Sequence, residues 1–117
     1  MAKLIMVVDD EEDIRNTVRA ILEREGYNVK IAVNGDDCLK KLEDNKPDLI
    51  LMDIMMPGTP VRKVVSKMKD IKIIYLTVVQ VSDAERLELL SRKNVVCFIN
   101  KPFNVHDLVN AVRGVIG

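Results

Sequence analysis

The sequence lacks the features of a membrane segment and of a broad nucleic-acid-binding surface. Its 117 residues contain 18 Lys and Arg against 18 Asp and Glu, so the formal net charge is zero and no chain-wide field attracts a polyanion. No apolar run approaches the length needed to span a bilayer, and the start Met1-Ala2-Lys3 has no signal-peptide layout. We therefore expect a cytoplasmic protein without membrane insertion or direct contact with nucleic acid.

Cysteine and histidine are also scarce. Cys38 and Cys97 lie far apart and form no CxxC pair, which leaves a metal-thiolate site or redox motif without support and predicts two reduced, buried thiols. His106, the only histidine, lies beside Asp107 near the start of the last predicted helix, and a surface residue is favoured there over a phosphohistidine relay. The chain has no repeat or linker, and its length suits one domain over residues 1–117.

Apolar residues alternate between continuous strand-like runs and helical spacing. The runs predict strands at residues 4–8, 29–33, 49–53, 71–77 and 95–99, the second of them nearer the sheet edge. Helical spacing predicts helices over about 14–25, 37–45, 61–69 and 83–90, and from 104 toward the end. This alternation predicts an α/β fold with a doubly wound, five-stranded parallel sheet, helices on both faces and the flavodoxin-like strand order 2-1-3-4-5.

Short polar residues mark the starts of the predicted helices. Asp36 or Asp37 is expected to cap the second helix, Asp83 the fourth and Asn104 the last. In the first helix, Arg15 falls on the polar side. The last helix is expected to present an apolar face made of Val105, Leu108, Val109 and Val112.

Four of the predicted strands end at residues suited to phosphate chemistry. Asp9 and Asp10 follow the first strand, Asp53 ends the third, Thr77 ends the fourth, and Lys101 follows the fifth. Because the carboxyl ends of parallel strands share one edge of the sheet, these side chains are expected around one crevice. Each residue alone has an ordinary interpretation. Asp9 and Asp10 could favour the start of the first helix, and Asp53 could be a turn residue. Thr77 could be an ordinary strand residue, and Lys101 a solvated loop lysine. Their combination predicts a site.

The three aspartates predict a site for a hard divalent cation. Asp9, Asp10 and Asp53 would repel one another and raise each other's pKa unless a cation lay among them. Mg²⁺ suits such oxygen ligands, whereas Ca²⁺ usually needs more of them and Zn²⁺ prefers His or Cys. Lys101 and Thr77 complement the oxygens of a phosphoryl group, and an aspartate carboxylate is an established nucleophile for forming an aspartyl phosphate.

These residues carry a resemblance to a known family. In order and spacing the chain resembles the receiver domain of two-component response regulators, through Asp9-Asp10, Asp53, Met56-Pro57-Gly58, Thr77 and Lys101-Pro102-Phe103. The resemblance spans nearly the whole chain and implies a stand-alone, chemotaxis-regulator-like receiver. It implies that Asp53 is the phosphoacceptor, and that Asp9, Asp10, Asp53 and the backbone carbonyl of Met55 hold Mg²⁺.

The resemblance also implies a switch and its partners. Thr77 would be the switch hydroxyl, Lys101 the phosphate-binding lysine, and Phe98 the aromatic side chain that changes rotamer, although core packing explains Phe98 equally well. The Lys101–Pro102 peptide bond would be cis. The implied partners are a histidine kinase and a downstream protein effector, and a monomer or weak dimer is expected. Such a protein is no enzyme, apart from any catalysis of its own phosphotransfer and dephosphorylation.

The chain departs from the family pattern at three places. Thr59-Pro60 stands where Asp-Gly is usual, Ser91-Arg92-Lys93-Asn94 replaces a small-residue turn, and Val78 occupies a usually small position, from which slower phosphoryl transfer and hydrolysis are expected. Two alternatives stay open. One is a receiver-like binding module that works without phosphorylation. The other is an aspartate-nucleophile phosphohydrolase resembling haloacid-dehalogenase enzymes, although these carry a second acid where this chain has Ile54-Met55.

Overall fold

The structure, a computed structural model, describes residues 2–77, 82, 87 and 90–117. Within these residues the chain forms five strands and four helices. In chain order they are β1 (Leu4–Val8), α1 (Glu12–Arg24), β2 (Asn28–Ala32), α2 (Gly35–Lys41), β3 (Leu49–Asp53), α3 (Val61–Val65), β4 (Lys72–Thr77), β5 (Val95–Asn100) and the C-terminal helix (Val105–Ile116). Val78 and most of the predicted helix at residues 83–90 lie outside the described residues.

The five strands form one parallel sheet in the order β2-β1-β3-β4-β5. This confirms the predicted fold class and strand order, including the edge position of β2. The register pairs Val8 with Met52 and Thr77 with Asn100. The carboxyl ends of the central strands are therefore level, which brings the residues that follow them to one edge.

Helices cover both faces of the sheet, as predicted. On one face, α2 and α3 contribute Cys38, Val61 and Val64 to a core cluster that includes Met6, Ile50 and Tyr75.

On the other face, α1 and the C-terminal helix pack on the sheet. Their buried residues are Val18, Leu22, Leu108 and Val112, and the strand residues beneath them include Ile5, Leu51 and Leu76. All five residues of β3 are buried, which explains why its apolar run has no polar alternation.

Two predictions about the helix ends are wrong. The N-cap of α2 is Asn34, whose side-chain oxygen accepts a 2.8 Å hydrogen bond from the backbone N–H of Asp37. Asp36 and Asp37 already lie inside the first turn of this helix. Helix α3 ends at Val65, four residues before the predicted end, and valine is a weak helix former.

The C-terminal helix begins as predicted but buries a narrower face. Asn104 caps it by accepting a 2.7 Å hydrogen bond from the backbone N–H of Asp107. Leu108, Val109 and Val112 are buried, whereas Val105 is 55% exposed. The prediction that Val105 packs on the core is therefore wrong, because it lies in the first turn of the helix and points away from the sheet.

The turn before β5 is fixed by one side chain. The Asn94 amide nitrogen donates hydrogen bonds to the backbone carbonyls of Met68, at 2.7 Å, and Ile71, at 2.9 Å. The unusual segment Ser91-Arg92-Lys93-Asn94 thus ends in a residue that holds the α3–β4 connection against the start of β5. Of the two cysteines, Cys38 is buried as predicted, but Cys97 is only partly so.

Among the described residues, no helix combines the length and apolar character that crossing a membrane requires.

Candidate functional site

The ends of four strands bring the predicted site residues together. Asp9 follows β1 directly, Asp53 and Thr77 are the last residues of β3 and β4, and Lys101 follows β5. The Lys101 backbone N–H donates a 2.7 Å hydrogen bond to the Thr77 carbonyl, which fixes the loop after β5 against the end of β4. The Lys101–Pro102 peptide bond is cis, as the resemblance implied. The predicted crevice is therefore present at the carboxyl edge of the sheet.

Three carboxylates line this crevice. Asp9, Asp10 and Asp53 each offer an oxygen atom, and these atoms lie within 4.8 Å of one another. Asp9 is fully buried, Asp53 is 4% exposed and Asp10 faces solvent. A set of carboxylate oxygens without sulfur or imidazole suits Mg²⁺, a hard cation that also keeps several waters. The geometry therefore fits a divalent metal site of the kind that the sequence predicts.

Lys101 brings a positive charge into this crevice. Its Nζ lies 2.5 Å from Asp9 Oδ2 and 3.7 Å from Asp53 Oδ2, and its side chain is 7% exposed. Asp9 is held further by its Oδ1, which accepts a 2.9 Å hydrogen bond from the backbone N–H of Glu11. One lysine therefore faces two buried carboxylates, and the crevice keeps an excess of negative charge that a metal ion could neutralise.

Asp53 has a markedly altered acidity. Burial raises its pKa to about 6, and the charges of Asp9 and Asp10 also favour its protonation. The positive charge of Lys101 and a 3.2 Å hydrogen bond from the backbone N–H of Met55 to Asp53 Oδ1 act in the opposite direction. At neutral pH the carboxylate is thus largely ionised but poorly solvated, which favours its reaction with an electrophile.

The remaining predicted residues lie nearby in different environments. Thr77 is 1% exposed at the end of β4. Phe98 is partly buried, and its ring centroid lies 5.3 Å from that of Tyr75. Met55 follows Asp53 by two residues, and its side chain is 59% exposed. The roles of the Thr77 hydroxyl, the Phe98 ring and the Met55 carbonyl stay predictions.

Two features of this edge were not found from the sequence. Arg15, which was assigned to the polar side of the first helix, turns back so that its Nη1 donates a 2.8 Å hydrogen bond to the Asp9 carbonyl. The Thr59 hydroxyl donates a 2.7 Å hydrogen bond to Asp36 Oδ1 and so ties the loop after β3 to the start of α2. Asp36 and Thr59 are 23 residues apart, and no local pattern marks them as partners.

A buried carboxylate at the end of β3, an acidic pair after β1 and a lysine after β5 agree with the receiver class of protein. The family model described as "Response regulator receiver domain" matches residues 5–113. The chain belongs to this family.

One curated relative is similar over nearly the whole chain. The chain is 33% identical to the alkaline phosphatase synthesis transcriptional regulatory protein PhoP of Bacillus subtilis (strain 168) over 118 residues, which is 99% of this chain and 49% of that protein. The chain thus spans about half the length of this curated relative.

Two solved structures are similar throughout. The chemotaxis protein CheY4 of Vibrio cholerae superposes with a TM-score of 0.87 at 28% identity, covering 99% of this chain and 100% of that one. A CheY-like response regulator receiver domain protein from Methanospirillum hungatei JF-1 superposes with a TM-score of 0.87 at 29% identity. This match covers 97% of this chain and 93% of that one. The acidic cluster of this chain is consistent with a divalent metal site of the kind found in receivers.

Proposed function

We propose that this chain is a phosphorylation-dependent signalling switch in which Asp53 accepts a phosphoryl group from the phosphohistidine of a histidine kinase. The observation that carries the proposal is the position of Asp53, a buried carboxylate with two further carboxylates and the Lys101 ammonium group around it. Family membership supports the kinase as donor. We further propose that residues 1–117 act as one receiver domain whose changed surface is read by a protein effector.

The transfer requires little of the protein beyond positioning and charge. An ionised oxygen of Asp53 forms the new bond to phosphorus while the phosphorus–nitrogen bond breaks, and the imidazole of the donor keeps the electron pair and takes up a proton. The Met55 N–H orients Oδ1, which leaves Oδ2 on the side of Lys101. When bound by Asp9, Asp10, Asp53 and the Met55 carbonyl, Mg²⁺ would neutralise negative charge on the carboxylates and on the phosphoryl oxygens.

Lys101 is placed to respond to the new group. Its ammonium group is already within 4 Å of both Asp9 and Asp53, so a small movement of a flexible side chain transfers it to a phosphoryl oxygen. The Thr77 hydroxyl donates to another phosphoryl oxygen, and Phe98 changes rotamer in response. The phosphorylated protein thereby shifts a pre-existing equilibrium at the surface around β5 and the C-terminal helix.

A small-molecule phosphodonor tests this function without a cognate kinase. The wild-type chain, Asp53→Asn and the control Asp70→Asn are each incubated with acetyl phosphate, with and without Mg²⁺, and examined by intact mass spectrometry. Asp70 is an exposed aspartate outside the acidic cluster. We expect Mg²⁺-dependent addition of one phosphoryl group to the wild type and to Asp70→Asn only. Equal labelling of Asp53→Asn contradicts the assignment, and no labelling of the wild type favours a binding module that works without phosphorylation.

A further inference from the structure

Tyr75 carries a buried hydroxyl group that has no hydrogen-bond partner in the part of the chain that the structure describes. The side chain is fully buried in the middle of β4, and its oxygen makes no hydrogen bond to any of the described residues. The other tyrosine behaves differently, because the Tyr27 hydroxyl donates a 3.2 Å hydrogen bond to the Gly117 carbonyl. Buried hydroxyl groups are normally paired, since an unpaired one loses its hydration without compensation.

The ring of Tyr75 is in direct contact with the proposed switch. Tyr75 and Phe98 are register partners on β4 and β5, and their rings are tilted by 35° with centroids 5.3 Å apart. Thr77 follows Tyr75 by two residues on the same strand, so both side chains point to the same face of the sheet. Tyr75 therefore contacts Phe98 and shares a strand and a face with Thr77.

Burial keeps the Tyr75 hydroxyl protonated. Burial raises the pKa of Tyr75 to about 12, so the group is a neutral phenol at physiological pH, and the positive charge of Arg92 acts against the rise. A neutral phenol can both donate and accept a hydrogen bond. A rearrangement of the adjacent Phe98 ring changes the packing around this oxygen and gives it the chance to meet a partner or water.

We propose that Tyr75 is a positioning residue of the switch: its ring supports Phe98, and its unpaired hydroxyl raises the free energy of the unphosphorylated arrangement relative to the one that Phe98 adopts after phosphorylation. The inference rests on the proposed function and adds a residue to it. It requires that the hydroxyl find a partner in the second arrangement, because only a difference between the two states biases their equilibrium.

Unfolding experiments test the unpaired hydroxyl directly. Tyr75→Phe keeps the ring and removes only the oxygen, so we expect the folded-to-unfolded ratio of the unphosphorylated protein to rise on the order of tenfold. Tyr27→Phe is the matched control: it removes a hydroxyl that has a partner, and the same ratio should fall by a factor of about two to ten. A lower stability of Tyr75→Phe in urea titrations would show that its hydroxyl is paired and would overturn the inference.

A spectroscopic experiment tests the connection to the switch. The backbone amide resonance of Phe98 is followed by NMR before and after phosphorylation with acetyl phosphate and Mg²⁺, since in fast exchange its position reports the populations of the two arrangements. At full phosphorylation, we expect the resonance of Tyr75→Phe to lie closer to its unphosphorylated position, while Tyr27→Phe matches the wild type. This readout does not follow from a merely structural role.

The outcomes separate the inference from the function on which it rests. Normal phosphorylation of Tyr75→Phe with an unchanged displacement of the Phe98 resonance refutes the inference alone. A wild-type chain that accepts no phosphoryl group refutes the proposed function and the switch role of Tyr75 with it.

Discussion

Lys101 and Asp9 form a buried ion pair across the carboxyl edge of the sheet, with Nζ of the lysine 2.5 Å from Oδ2 of the aspartate. The two residues are 92 positions apart, and their side chains are 7% and 0% exposed. The same ammonium group lies 3.7 Å from Asp53 Oδ2, so a single lysine charge faces the three carboxylates of Asp9, Asp10 and Asp53. The site is therefore built with a deficit of positive charge, which a divalent cation can supply.

Loss of Lys101 should destabilise the metal-free protein. Lys101→Met leaves Asp9 and Asp53 without their cation, and removing one partner of a buried pair costs about 3 kcal/mol. Lys46→Met is the control, because Lys46 lies 3.8 Å from Asp70 at an exposed position and should cost less than about 1 kcal/mol. Urea unfolding in the presence of a chelator measures both. An equal loss in the free energy of unfolding for the two variants would show that the buried ion pair stabilises the fold no more than the exposed one.

The stability of the metal-free protein should depend on pH through Asp53. Its pKa is about 6 in the folded protein against an ordinary value of 3.8, so its ionisation opposes folding above pH 6 and this penalty is relieved as the pH falls toward 4. The difference corresponds to about 3 kcal/mol. Asp53→Asn, which cannot ionise, should be more stable than the wild type by up to this amount at pH 7.5.

The comparison is made by urea unfolding in chelator at pH 7.5 and 4.5. The advantage of Asp53→Asn over the wild type should shrink at the lower pH, while Asp70→Asn should show no comparable trend. If Asp53→Asn is less stable than the wild type at pH 7.5, the ionisation of Asp53 does not oppose folding and the prediction is wrong.

Mg²⁺ should stabilise the folded chain through the acidic cluster. At about a hundred times the dissociation constant, a ligand that binds only the folded state adds about 3 kcal/mol. Asp10→Asn removes a carboxylate of the cluster, and a tenfold weaker affinity would remove about 1.4 kcal/mol of this gain. Asp13→Asn is the control, because Asp13 lies in the first turn of α1 and outside the cluster. Melting temperatures measured across a Mg²⁺ titration give both values, and equal shifts in the two variants would place the metal elsewhere.

The fold was predictable from the sequence because it depends on long apolar patterns. The run of β3 is apolar at every position before Asp53, which favours a strand buried on both faces. Alternation with amphipathic helices then favours a parallel sheet, and the acids after the first and third strands agree with the order in which these strands are neighbours. The candidate site followed from the same argument, since strand ends determine which residues meet.

Local choices between equivalent residues were not predictable. Asn34, Asp36 and Asp37 are all good caps, and only the extended backbone at Asn34 selects it. Contacts made by long side chains, or between residues distant in the sequence, could not be predicted for a similar reason. Neither the bond from Arg15 to the Asp9 carbonyl nor the unpaired hydroxyl of Tyr75 has a sequence signature, because both depend on how packed elements meet in three dimensions.

The most direct test of the account is to locate the phosphoryl group. After treatment with acetyl phosphate and Mg²⁺, reduction with borohydride converts an aspartyl phosphate to homoserine, and peptide mass spectrometry identifies the position. The account predicts a single homoserine at position 53 and none in samples prepared without Mg²⁺. A homoserine found only at another aspartate, such as Asp9 or Asp10, would contradict the claim that Asp53 is the phosphoacceptor.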